Sequence, residues 1–169
     1  AENLYLGREE LYTWHGIRNL RKLNQMAAKV LEAGGMGDIR PEDDIGSYST
    51  EQRKLIELLR AADTRPELLM IDETTTALSQ TGRDQLYRLM RETKQRGSSV
   101  MFISHDLQEV LSICDSVTVM RDGHYIGTVS TAEVTENDLK KMMVGRELLG
   151  KYYREDFVEP AAHGVFLYQ

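Results

Sequence analysis

Asp72 and Glu73 are adjacent carboxylates that end a run of four apolar residues, Leu68-Leu69-Met70-Ile71. About thirty residues later His105 sits in Ile103-Ser104-His105-Asp106, again at the end of an apolar run. A carboxylate at the end of a strand can hold Mg²⁺ through water, and a second one beside it can orient or polarise an attacking water. A lone His is most often structural, but one that shares an edge with two acids is a better candidate for chemistry. This order of parts points to nucleotide hydrolysis.

The elements that must position these groups can be read from spacing. Leu68 to Ile71, with no polar interruption, predicts a strand buried on both faces, so that Asp72 and Glu73 emerge at its C-terminal end, where open α/β sheets collect ligands. Ser99-Val100-Met101-Phe102-Ile103 predicts a second strand. Between them Leu86, Leu89 and Met90 fall at i, i+3 and i+4, and Gly97 stands where a helix would stop. Strand, helix and strand in that order predict a parallel pair whose C-terminal ends share one edge, which brings His105 near Asp72 and Glu73.

Upstream, residues 1 to about 62 read as helical. Leu20, Leu23, Ala27, Val30 and Leu31 form one apolar stripe that stops at Gly34, Gly35 and Gly37, and an acidic loop with Pro41 follows. Ser49 and Gln52 have the spacing of a capping box at the start of the next helix. Downstream, Val117-Thr118-Val119-Met120 and Tyr125-Ile126-Gly127-Thr128-Val129 flank Arg121-Asp122-Gly123-His124, a hairpin with an Asp-Gly turn. Thr135 and Asp138 can cap a last helix carrying Leu139, Met142 and Met143. No internal repeat or low-complexity segment is evident.

Composition sets the bounds. The 169 residues suffice for one core, perhaps with a subdomain. A net charge of −6 argues against nucleic acid or an anionic lipid surface as the main partner, since both reward a basic excess. The single cysteine, Cys114, continues the Leu107, Val110 and Leu111 stripe and reads as a reduced core residue. No stretch approaches the roughly eighteen apolar residues of a membrane span, so any membrane association goes through a partner.

Taken together the motifs resemble the ATP-binding-cassette ATPases. Leu68 to Glu73 looks like the Walker B strand, Thr76-Ala77-Leu78-Ser79 like the D-loop, and Ile103 to Asp106 like the switch-histidine loop. Tyr48-Ser49-Thr50-Glu51-Gln52 stands in the place of the Leu-Ser-Gly-Gly-Gln signature, with Leu55, Ile56, Leu58, Leu59 and Ala62 in its helix. Ser49 to Glu57, the opening Ala1 to Glu9 and Met143-Val144-Gly145-Arg146 are most similar to the first cassette of the double-cassette ATPases of bacterial monosaccharide importers. The match covers roughly residues 1 to 150, and the ordered series is far more specific than any one motif.

The resemblance implies an α/β fold: an incomplete P-loop NTPase core with parallel strands (63–150), an N-terminal all-helical subdomain (1–62), and a linker with the start of a second cassette (151–169). It implies ATP and Mg²⁺, with Asp72 holding the metal through water, Glu73 orienting or deprotonating the attacking water, and His105 on the γ-phosphate. Ser49, Thr50, Glu51, Gln52 and Ser79 stand where the family contacts nucleotide on the opposite cassette. Implied partners are a transmembrane permease, met by the helical subdomain, a second cassette, and a periplasmic sugar-binding protein indirectly. The implied location is the cytoplasmic face of the membrane. Tyr5, Tyr12 and Trp14 are the candidate permease contacts.

Four departures qualify that picture. Glu51 replaces the second signature glycine; a carboxylate there would either repel a triphosphate or serve only as a favourable first-turn acid of a capped helix. Thr74 replaces the usual Pro after the acids, and Ser79 the final Asp of the D-loop. No Gly-rich phosphate loop precedes Asp72 within this sequence, and Gly145 to Tyr152 fits its spacing only by coincidence, with Tyr152 where a metal-binding Ser or Thr is needed. The expectation is a piece of a longer ATPase, inactive alone, with exposed strand edges that invite a non-native dimer. The alternatives are a catalytically dead cassette-like regulatory module and a non-transport ATPase of the same family.

Overall fold

A computed structural model describes residues 1–144 and 165–167 of the chain. In chain order the elements are β1 (Thr13–Trp14), β2 (Ile17–Arg18), α1 (Leu20–Ala33), α2 (Thr50–Asp63), β3 (Leu68–Asp72), α3 (Gln80–Gln95), β4 (Ser99–Ile103), α4 (Leu107–Ile113), β5 (Ser116–Arg121), β6 (His124–Ser130), α5 (Glu136–Val144) and β7 (Val165–Leu167). Contacts divide the chain into two units, Ala1–Pro66 with Ala77–Gln95, and Glu67–Thr76 with Arg96–Gln169.

In the first unit, the apolar stripe of α1 buries Leu23, Ala27 and Leu31, while Leu20, in the first turn, is more than half exposed. Asn19 caps that helix by accepting from the Lys22 amide at 2.9 Å. The helix ends where Gly35 adopts a φ of +73°, a left-handed conformation that costs glycine nothing and lets the Met36 amide donate back to the Leu31 carbonyl at 2.8 Å. The carbonyls left over at that end are met by α3: Arg88 donates to Gly34 at 2.9 Å and Gln85 to Gly35 at 3.0 Å. Leu55, Ile56, Leu58, Leu59 and Ala62 of α2 are buried, as are Leu86, Leu89 and Met90 of α3. Arg8 pairs with Asp63 at 2.8 Å and lies over the Tyr5 ring, which fastens the opening segment to the end of α2.

This unit is helical with one exception to the all-helical expectation. Residues before α1 form a short antiparallel hairpin, β1 with β2, turned by His15 and Gly16 at φ 44° and 79°. His15-Gly16 is the turn signal, and two-residue strands are too short for a period-2 pattern to stand out. Tyr5 and Tyr12 are core residues, 3% and 4% exposed, whereas Trp14 is 75% exposed.

The second unit holds the sheets. β3 and β4 pair in parallel from Leu68↔Ser99 to Asp72↔Ile103, as the strand-helix-strand pattern predicts. The expectation of a strand buried on both faces is corrected for β3: Leu69 and Ile71 are buried, but Leu68 and Met70, pointing the other way, are 45% and 60% exposed. β5 and β6 form the antiparallel hairpin, with Asp122 and Gly123 both at positive φ, the geometry that two-residue hairpin turns favour. β7 pairs in parallel with β5, Val117↔Val165 to Val119↔Leu167, within the order β6-β5-β7. Val165–Leu167 fall within the stretch expected to open a second cassette. Val117, Val119, Val110 and Leu139 have no exposed surface and form the centre of this unit, and Cys114, expected in the core, is only half-buried at the end of α4. The Gly145 to Tyr152 segment lies outside the described residues.

Candidate nucleotide-hydrolysis site

The parallel register of β3 and β4 puts two chain ends side by side. Asp72 pairs with Ile103, and one residue on, the Glu73 amide donates to the Ile103 carbonyl at 3.0 Å. The strands therefore release Glu73 and Ser104-His105 at one edge. The side chains of Glu73 and His105 meet there, Oε1 to Nδ1 at 3.6 Å, each 60% exposed. An acid and an imidazole in reach of each other and of solvent can hold a water between them and move its proton.

Glu73 is held in an unusual backbone conformation. Its φ is 41°, in the left-handed region that non-glycine residues avoid, at a cost of roughly 1–2 kcal/mol. The turn after it pins that conformation: Thr74 donates its hydroxyl to the Asp72 carbonyl at 3.1 Å, and Thr76 to the Glu73 carbonyl at 3.0 Å. Backbone strain of this kind persists where surrounding bonds over-determine it, and it clusters at functional sites.

A third carboxylate, which the sequence reading did not single out, lies beneath the pair. Glu109 of α4 is 7% exposed and accepts from the Thr75 hydroxyl at 3.0 Å and the Ser104 hydroxyl at 2.9 Å, both on Oε2. Thr75 follows Glu73 by two residues and Ser104 immediately precedes His105, so one buried group braces both loops. The signal was present: Glu109 falls between Leu107 and Val110 on the inward stripe of α4, where a charge is out of pattern. Asp106 caps α4 by accepting from the Gln108 and Glu109 amides, both at 3.1 Å, and its own amide donates to Ser104.

Asp72 is exposed at the end of β3. Among the described residues no three or more His, Cys, Asp or Glu side chains converge on a common point that could hold a metal ion.

The signature-like residues lie in the first unit. Ser49 and Gln52 make both bonds of a capping box, Ser49 amide to Gln52 Oε1 at 3.0 Å and Gln52 amide to Ser49 Oγ at 3.2 Å. Thr50 is exposed, on the first turn of α2. Tyr48 braces the loop before the cap by donating to Asp43 at 2.9 Å and accepting from the Arg40 amide at 3.0 Å. Glu51 points to Ser79, whose amide and hydroxyl donate to its Oε1 at 3.0 and 2.6 Å.

No model of a protein family matches the chain. Individual proteins do. The chain is 36% identical over 162 residues to the ribose import ATP-binding protein RbsA of Shouchella clausii, covering 96% of the chain and 32% of that protein. It is 36% identical over 148 residues to the protein of the same name from Geobacillus kaustophilus, covering 88% and 30%. The chain thus spans about a third of the length of the curated relatives it matches. Among solved structures it superposes on an ATP-binding cassette of an ABC transporter in its ADP conformation with a TM-score of 0.56 and 25% identity, over 76% of this chain and 48% of that one. It superposes on a nucleotide-free ATP-binding cassette with a TM-score of 0.60 and 24% identity, over 83% and 57%.

Proposed function

The chain belongs to the ATP-binding-cassette family of ATPases, and on that premise we propose that it carries the water-activating side of an ATP site in the engine of a sugar importer. Glu73 orients or deprotonates the attacking water, and His105 contacts the γ-phosphate and polarises that water. Asp72 is the residue that would hold Mg²⁺, and the ion would supply positive charge to screen the phosphates. The observation that carries this reading is the 3.6 Å approach of Glu73 to His105 across two parallel strands, with Glu73 held at φ 41°.

The remaining parts follow from the same reading. Ser49, Thr50 and Gln52, at the amide end of α2, meet the triphosphate bound on a second cassette, where the helix dipole and the first-turn N–H groups outside the capping box favour an anion. The named relatives import ribose, so a pentose or similar monosaccharide is the proposed cargo, selected by the permease and a periplasmic sugar-binding protein. No helix among the described residues is long and apolar enough to cross a membrane, and the proposed location is the cytoplasmic face, through the permease. Trp14 is the candidate contact to that permease, since it presents a large apolar surface on the helical unit.

Glu73→Gln in the intact protein tests the assignment. It keeps the size and removes the base, so ATP binding is retained while turnover falls by a factor on the order of 10² or more. Unchanged hydrolysis in that variant overturns the role given to Glu73.

A further inference from the structure

The first turn of α2 carries a carboxylate at the end of a helix that would face a triphosphate, and the structure shows where that charge is directed. Glu51 is half-buried, two residues after the Ser49 cap. Its Oε1 accepts from both the amide and the hydroxyl of Ser79. The same hydroxyl accepts from the Gly82 amide at 3.2 Å, and the Arg83 amide closes the first helical bond onto the Ser79 carbonyl at 2.9 Å. Ser79 is therefore the cap of α3, and Glu51 is the anion at the positive end of that sixteen-residue helix.

Gly82 is part of the arrangement. A Cβ at this position would overlap the Glu51 carboxylate and come within 3.3 Å of the Leu78 Cβ. Glycine in the first turn of a helix is otherwise a poor choice, about 1 kcal/mol worse than alanine in a helix interior. Here it opens the space that the carboxylate fills.

We propose that Glu51 is a positioning residue: held by Ser79, its charge is bound by the α3 terminus and kept from the amide end of α2, and the two segments move as one body. The proposal rests on the cassette reading, in which these segments stand in the places of the signature and the D-loop. Bound in this way the carboxylate does not oppose the phosphate that α2 receives. Set free, it stands on the first turn beside that phosphate and repels it.

Steady-state ATP hydrolysis by the intact protein tests this in two cycles, Ser79→Ala with Glu51→Gly and Gly82→Ala with Glu51→Gly. Ser79→Ala removes one donor, and Gly82→Ala displaces the carboxylate without touching a polar group. Each is expected to lower kcat/KM by roughly tenfold, chiefly through a higher KM, and to recover partly in high salt. In each cycle the double variant is expected to lose no more than Glu51→Gly alone. Additive losses make Ser79 and Gly82 ordinary helix-start residues and overturn the proposal. Hydrogen exchange reads the tie itself: the Ser79 amide exchanges slowly in the wild type and faster in Glu51→Gly, which removes the acceptor, and equal rates also overturn it. A wild-type protein without ATP turnover overturns the cassette reading, and the proposal with it. An active wild type with additive cycles overturns the proposal alone.

Discussion

Ser104 donates its hydroxyl to the buried Glu109 carboxylate at 2.9 Å, and this bond links the residue before His105 to an acid that also holds the turn after Glu73, through Thr75 at 3.0 Å. The two loops that carry the proposed chemistry are thereby fastened to one oxygen atom of one helix. Both that oxygen and the strand pairing beneath it hold the loops together.

Glu109→Ala leaves two buried hydroxyls without their acceptor and opens a void under both loops. The expected loss of stability is about 2–4 kcal/mol, from unsatisfied polar groups at about 1–3 kcal/mol each with partial relaxation. Glu109→Gln keeps an accepting oxygen in place and should recover more than half of that loss. Chemical denaturation of the two variants measures the difference, and equal losses would show that the hydroxyls do not depend on this acceptor.

At Glu73 the ordinary ranking of alanine over glycine should invert. With φ at 41°, a Cβ is a burden that glycine does not carry, so Glu73→Gly is expected to be more stable than Glu73→Ala by about 1 kcal/mol. Both variants lose turnover. A more stable alanine variant would mean that the left-handed turn is not kept in solution.

The start of α5 should loosen in acid. Thr135 donates its hydroxyl to Asp138 at 2.7 Å and its amide at 3.0 Å, and these bonds hold the Asp138 carboxyl below its ordinary value of 3.8. A carboxylate whose value is lowered by folding contributes stability that is fully present above its unfolded value and is lost as pH falls through the folded one. The cap is therefore intact at neutral pH and is lost as pH falls through the lowered folded value, which lies below 3.8. The Thr135 amide resonance, followed through an acid titration, should move with that midpoint, and Asp138→Asn should abolish the movement.

ATP should bind the 169-residue chain weakly or not at all, because residues 1–71 contain no Gly-rich phosphate loop and the backbone cradle supplies most of the affinity for a triphosphate. Calorimetric titration that returned micromolar affinity would contradict this and place the phosphate contacts on residues not considered above.

Much of the arrangement could be read before any coordinates. The apolar runs from Leu68 and from Ser99 specify strands, and the helical pattern between them makes the pair parallel because the chain must cross back before it can pair again. The capping box at Ser49 and Gln52 and the Asp122-Gly123 turn are local bonds between near neighbours, written in consecutive residues. The approach of His105 to Glu73 follows from topology alone, since parallel strands end at the same edge. What local pattern could not supply was the long-range placement of side chains. Nothing near Glu51 in sequence indicates that its charge ends at Ser79, because twenty-eight residues separate them and only the packing of α2 on α3 brings them together. The exposure of Leu68 and Met70 on one face of β3, the pairing of Val165–Leu167 with β5, and the bracing of two loops by Glu109 have the same origin. Periodicity reports which residues can face a core. Which core, and which distant partner fills the remaining space, is settled only when the chain closes on itself.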